Sequence, residues 1–428
     1  MSTIQTNKEH TSLLRYIILV IFMLIIYSNA TVIRRYLIIM YPLLLVFIIA
    51  DVALYKKKLH INFIDVLWYL IILYLLISLP FSYDFKESLI HIIYYTIMIV
   101  VMTLLKSSKD MQLRLIKIFY VSAILYAMIT LSSFFIRGLI PDYFNFLFNS
   151  DRIHKIESEI SRGAFSGLAG EVSYNMFTIA VGFGIVISNL LVSKRLSKFN
   201  TVLVIIMAVS LLLTQKRSVI VVLFLILAFM IIVLRKNRAV TKRAFKLLLA
   251  LVVIAIVVVI VFPDVLRVFN RFFVDDKLYL SGRNELWAYA KDMFLDRPLF
   301  GYGVGSYNIY CNNMGYFSRK LHAHNIYIQM LAETGIVGFM LFMAAFLTSL
   351  LKTVAITRKI MMTSNNSALK VIILFSLYMQ LFFLLYGFVG IPLYNFTQLL
   401  VYLISVSIIH YVKIGINADS CSLRKVKV

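Results

Sequence analysis

Apolar runs of bilayer length, each bounded by charged residues, recur along the whole chain. They fall near 13–30, 36–55, 64–80, 89–105, 115–136, 171–192, 200–214, 218–234, 246–262, 322–350, 371–388 and 393–412. A helix needs roughly 20 apolar residues to cross the hydrocarbon core of a membrane. The pattern therefore predicts an all-α polytopic membrane protein with about twelve transmembrane helices, several of them short. No small-residue cleavage site follows the first run, which reads as a signal-anchor helix and not a cleaved signal peptide. Two connections are too long to be turns, residues 137–170 and 263–321. Residues 1–428 thus read as a single integral membrane domain whose extramembrane structure sits in those two loops.

Composition agrees. Hydrophobic residues make up 61% of the 428 positions and charged residues 14%, against norms of roughly 45–50% and about 25% for soluble proteins. A soluble globule of that composition would aggregate. Six prolines and 16 glycines exclude collagen-like and disordered classes, and two cysteines are too few for a disulfide scaffold.

The net charge of +24 would point to nucleic acid in a soluble protein. Here most of the 43 bases fall in short clusters between apolar runs: Lys56–Lys57–Lys58, Lys106 to Lys117, Lys194 to Lys198, Arg235 to Lys246, Lys352 to Lys370, and Lys413 onward. These clusters alternate with loops of nearly balanced charge. By the positive-inside rule both termini are cytoplasmic and both long loops external, and nucleic acid is not a partner. No Walker-type loop ending in Lys-Ser or Lys-Thr is present, so the chemistry is not driven directly by ATP.

The second long loop carries most of the candidate chemistry. In SGRNELWAYAKDMFLDRPLF, residues 284–295 have a helical pattern with Leu286, Tyr289, Ala290, Met293 and Phe294 on one face. Ser281 is a plausible cap, which would put Gly282 and Arg283 in the first turn. Arg283 then joins free peptide N–H groups in an anion site, or it snorkels or pairs with Asp275 or Asp276. Arg217, in LLLTQKRSVIVVL, is pinned at lipid-headgroup depth, either as a polar hairpin tip or as an anion ligand. Lys216 beside it is indistinguishable by spacing.

His322, His324 and Asn325 open the tenth run. Imidazole can take and return a proton near neutral pH, and Asn325 could orient it or a sugar hydroxyl. Each histidine also reads as an ordinary interfacial residue, and no third ligand stands near in sequence to favour zinc. On a helix the two would point about 200° apart. Gly301, Gly303 and Gly305 (GYGVGSY) look like a phosphate cradle or a tight turn after Pro298. Glu171 and Glu333 are costly in lipid and should face the protein interior or a wet cavity, paired with an arginine or engaged in catalysis, and Asn175 shares the face of Glu171.

The ordered set KRS, SGRNELW, RPLFGYGVGSY and HAHNIYIQMLAETGIVG resembles the O-antigen ligase/polymerase family over about residues 200–350, supported by RGAFSGLAGEVSYN earlier in the chain. The resemblance implies a glycosyltransferase fold of the GT-C type in the bacterial plasma membrane, with an outward-facing, metal-independent site and no cofactor. It implies a glycan donor on undecaprenyl diphosphate and a sugar acceptor, and it allows a chain-length regulator and a flippase as protein partners. The family's two phosphate-facing arginines fall on Arg217 and Arg283, and its catalytic histidine on His324. His322, Asn325, Glu171 and Lys216 are secondary candidates for substrate binding. KRS favours a polymerase, which transfers repeat units onto another lipid-linked chain, over a ligase, which transfers the finished chain to a surface acceptor. The rival of another class is a flippase for the same lipid-linked sugars, which would place its polar residues near mid-membrane on broken helices.

Overall fold

The computed structural model describes residues 2–28, 31–55, 59, 61–193, 197–261, 273–274, 277–278, 283–315 and 322–409. Ser281, Gly282, Asp275, Asp276, the Lys56–Lys58 cluster and Lys413 onward, for which the sequence raised expectations, lie outside these residues. The described chain is an all-α polytopic membrane protein; its only strands there are a two-residue hairpin, Phe273–Val274 with Lys277–Leu278.

The apolar helices follow the runs predicted from sequence. They are α1 (Ser2–Tyr27), α2 (Leu37–Leu54), α3 (Phe63–Ser78), α4 (Phe85–Leu105), α5 (Lys109–Phe135), and, after two short loop helices α6 (Leu139–Tyr143) and α7 (Ser150–Ser161), α8 (Val172–Val192), α9 (Lys198–Leu213), α10 (Arg217–Leu234) and α11 (Arg238–Val261). The second long loop contributes α12 (Arg283–Asp296) and α13 (Tyr307–Asn313). Helices α14 (Ile326–Thr363), α15 (Ser367–Gly387) and α16 (Phe396–Ile409) complete the bundle. Eight helical segments among the described residues are long and apolar enough to cross a membrane, and α1, α9 and α16 have shorter apolar stretches.

Burial sorts centre from rim. Helices α8 and α15 are 89% and 78% buried over their most apolar windows, whereas α2 is only 33% buried. Several polar groups inside are satisfied by their own helix: Thr130, Ser188, Ser349 and Thr353 donate to the carbonyl four residues back. Small residues let central helices approach closely, as where Gly184 lies flat against the Tyr378 ring. At the end of the bundle where α3 starts and α4 ends, Lys106 bonds buried Asp65, and Arg15 meets Asp51 at 3.2 Å. Asp65 also closes the capping box of α3 with Asn62.

The tenth run differs from a single straight span. Helix α14 starts at Ile326, four residues later than 322, runs 38 residues and breaks at Gly335. Gly335 has φ +60° and ψ −171°, a conformation that L side chains rarely adopt. A Cβ there would meet the Leu299 carbonyl oxygen at 2.3 Å, and one on Gly301 would meet the Glu333 carbonyl oxygen at 2.5 Å. The two glycines therefore let the RPLFGYG segment lie directly on the broken helix. Ile336 N–H donates to Pro298 O (2.8 Å), so the freed backbone group is satisfied across the break.

Candidate active site

The GYGVGSY segment does form a cradle of peptide N–H groups, but for a carboxyl group of its own chain. The Glu333 side chain, fully buried in α14, accepts from the peptide N–H of Gly305 (2.8 Å) and of Tyr307 (3.0 Å), and from the Gln329 amide (3.1 Å). Its own carbonyl takes the Gly303 N–H at 2.8 Å. Sequence reasoning expected an arginine or a catalytic role for Glu333. The donors are instead backbone groups and an amide, because a helix interior pressed against a glycine turn has peptide N–H groups to offer and no room for a guanidinium.

Gln329 carries this network to the first histidine. Its oxygen accepts from Ala323 N (3.1 Å), so its NH₂ donates both to Glu333 and to His322 Nδ1 (3.2 Å). His322 thus holds its proton on Nε2 and lies 5.9 Å from the Tyr394 ring.

His324 turns the other way. Neither histidine is helical, so the expected 200° offset on a helix is replaced by a backbone reversal: His324 has φ +50°. Asn325 fixes where the helix begins, its Oδ1 accepting from Tyr327 N (3.0 Å) and Ile328 N (3.2 Å). Its oxygen is therefore occupied by a cap. Trp287 of α12 donates to the Ala323 carbonyl at 2.9 Å and holds the segment from outside the bilayer helices. Among the described residues the only non-glycine positions with positive φ are His324 and Gln215, and Gln215 is next to Lys216. Backbone strain of this kind gathers at functional positions.

Around His324 the charge is cationic. Burial, then the charges of Arg283 and Lys216, hold its imidazole down at about 4, so it is neutral at physiological pH. Lys216 is itself lowered by burial, against the pull of Glu171 and Glu159, and Arg283 adds to the lowering. Arg283, also lowered by burial, stays charged, with the Tyr386 hydroxyl near it and Nη2 donating to Val389 O at 3.2 Å. Glu171, just before the start of α8, pairs with Arg152 of α7 at 3.3 Å, the arginine pairing open to it from sequence. Asn175 shares that face but is buried, bonded to Thr130 and to the Phe165 carbonyl. Burial raises Glu159, with Lys155 opposing.

Arg283, Lys216, His324 and Glu171, far apart in sequence, therefore act on one another electrostatically. Arg217, half-buried, is the first residue of α10 and directly follows Lys216. Tyr386, the neighbour of Arg283, and the tether Trp287 were not singled out from sequence. Trp287 was legible in SGRNELW; Tyr386, deep in an apolar run, gave no signal. Among the described residues no cluster of three His, Cys, Asp or Glu side chains could hold a metal ion.

Two features frame the cluster. Leu212, Val219 and Ile220, which flank Lys216 and Arg217 in the chain, line one end of an apolar cavity of about 440 Å³ walled by α8, α9, α10 and α11. Opposite in composition, a polar cavity is lined by α2, α4, α8 and the start of α16.

No curated protein matches the chain. Residues 202–343, about a third of the chain, match the family model described as O-antigen ligase. That stretch contains Lys216, Arg217, Arg283, Glu333 and both histidines, so the part of this multi-pass membrane protein that carries the cluster is similar to the O-antigen ligase family.

Proposed function

We propose that the protein is a polysaccharide polymerase that moves glycan repeat units from undecaprenyl diphosphate to a lipid-linked acceptor sugar, on the outer face of the bacterial plasma membrane. What supports this reading is His324 held in a left-handed backbone conformation just before α14, with the Arg283 and Lys216 side chains acting on its imidazole. An acceptor hydroxyl attacks the anomeric carbon and gives its proton to His324. The bond from that carbon to the diphosphate oxygen breaks, and the electron pair leaves with the lipid diphosphate. Negative charge grows on that leaving group, so Arg283, Arg217 and Lys216 stabilise the transition state more than the ground state. The diphosphate also offsets the two cations that depress His324, which raises its basicity when the donor is bound. The apolar cavity beside Lys216 and Arg217 suits the first isoprene units of the tail.

In this reading residues 1–428 are one membrane domain of the GT-C type, both termini are cytoplasmic, and residues 137–170 and 263–321 face outward. Labelling of introduced cysteines tests this; Cys311 is buried and its thiol pushed up to about 11, so it is a poor probe. Loop residues labelled only from the cytoplasmic side would refute the orientation and the function together.

A ligase is the second reading, since the matching family model is described by that activity. The two share chemistry and differ in acceptor. A flippase finds one feature in its favour, the broken α14, but the break is filled by the glycine-rich segment and Glu333 is closed off within it. The deciding experiment compares a deletion strain with its complement. Outward-facing single repeats accumulate for a polymerase, outward-facing full polymer on lipid for a ligase, and inward-facing repeats for a flippase.

A further inference from the structure

A second pocket, of about 270 Å³, has a mixed polar and aromatic lining. Arg34, Arg35, Tyr94, Tyr174, Tyr394 and Asn395 are among its lining residues. Its volume is below the roughly 300–1,000 Å³ of pockets for drug-sized ligands, which suits one small ring. The floor is rigid and aromatic. Tyr94 stacks on Phe396 at 4.3 Å, and the Tyr41 hydroxyl is bonded to Thr397 at 2.8 Å. The rim is cationic and open, because Arg34 and Arg35 are exposed and the Arg34 charge reaches the Tyr174 hydroxyl.

Two links join the pocket to the cluster. Tyr394 packs against His322 and lies by the Glu333 carboxyl group. Tyr174 interacts with Glu171 and with Tyr386, the neighbour of Arg283. Aromatic faces with hydroxyl handles suit the apolar faces and equatorial hydroxyls of a sugar, and two guanidiniums suit a carboxylate. A lipid headgroup would use the guanidiniums but leave the five rings without purpose.

Resting on the proposed transfer reaction, we infer that this pocket is the acceptor-side glycan subsite and selects a carboxylate-bearing sugar, such as a hexuronate. The donor tail and the acceptor ring then use two cavities that share only α8, one completed by α9–α11 and the other by α2, α4 and the start of α16. Arg34 and Arg35 act in binding and in positioning, not in the chemical step.

The test is binding, independent of transfer. The full-length protein in phosphatidylcholine nanodiscs is titrated with methyl β-glucuronide and methyl β-glucoside by saturation-transfer NMR. The glucuronide should bind about five- to tenfold more tightly, and Arg34→Gln with Arg35→Gln should remove that preference while Arg283→Gln keeps it. Equal binding of the two sugars, or none, overturns the inference, as does a preference lost with Arg283→Gln and kept without Arg34 and Arg35. Loss of glucuronide binding when phosphatidylglycerol is added to the nanodisc would assign the pocket to a lipid headgroup instead. If the transfer reading alone were wrong, the glucuronide preference would persist while no polymer formed.

Discussion

Two charged clusters lie within ten residues of each other in sequence and are built on opposite plans. Around Glu333 every strong hydrogen-bonding demand of the side chain is met by the protein: two peptide N–H groups and one amide reach its oxygens. Around His324 the demand is left open. Among the described residues, Glu171 and Glu159 act on the cations Lys216, Arg152 and Lys155, and the imidazole beside Lys216 and Arg283 is kept neutral. A buried charge that has its donors is architecture. In the proposed reaction, cations beside a neutral base on a strained backbone are where the anionic leaving group sits. The glycine-rich segment teaches the same lesson, since a motif shaped to hold phosphate is satisfied by a carboxyl group of its own chain.

That contrast predicts different failures. His324→Ala should cost about 10²–10⁴ in transfer rate while protein level and melting temperature hold. His322→Ala should cost far less rate. Quantifying lipid-linked repeats and polymer length for the two variants decides between them, and the reverse order would move the base to His322. Next in size is Arg283. Loss of a preorganised charge at a developing anion costs about 10²–10³ in rate, so Arg283→Gln should fall by that factor and Arg283→Lys only part of the way. Arg217→Gln tests whether the residue next to Lys216 shares the load, and wild-type turnover in both glutamine variants would remove the phosphate role.

The closed cluster should break the other way. Glu333→Gln keeps the shape but gives the Gly305 and Tyr307 N–H groups a neutral, single acceptor. Unfolding should become easier by about 1–3 kcal/mol, seen as a lower melting temperature in detergent, with turnover per folded molecule falling less than in His324→Ala. A variant with normal stability and no turnover would instead make Glu333 part of the chemistry.

Most of the architecture was legible because bilayer length and charge leave a coarse signal, and the apolar helices α1 to α5, α8 to α11 and α14 to α16 each start or end within a few residues of the apolar runs. The break at Gly335 was not, since GIVGFM continues the apolar run and only the approach of Leu299 and Phe300 demands a positive φ there. Bonds from peptide N–H groups, as at Glu333, have no side-chain signature at all. Asn325 was read beside His324 as a substrate ligand, where its local chemistry as a helix cap prevails. Of the cluster, Arg283, Lys216 and His324 were named from motifs; that they act on one another depends on the fold bringing α10, α12 and the start of α14 together.

The smallest effect concerns pH and separates the open cluster from an ordinary surface histidine. Burial and the Arg283 and Lys216 charges disfavour the imidazolium, so His324 sits at about 4 in the free protein against roughly 6.5 unperturbed. A base must be neutral to act. The acid limb of kcat/KM, which reports the free enzyme, should therefore lie near pH 4, and the rate should be flat through neutrality. Bound diphosphate opposes the two cations, so the limb of kcat should move to higher pH than that of kcat/KM. Lys216→Gln removes one cation, makes protonation easier, and should raise the kcat/KM limb toward the ordinary histidine value. Stability follows the same sign: the unfolded chain binds the proton first, so the contribution of His324 is complete above about pH 6.5 and is lost as pH falls toward 4. His324→Ala should erase that part of the pH dependence of melting. A kcat/KM limb near 6.5 that Lys216→Gln leaves in place would mean that the imidazole does not feel these charges, and the open cluster would lose its base.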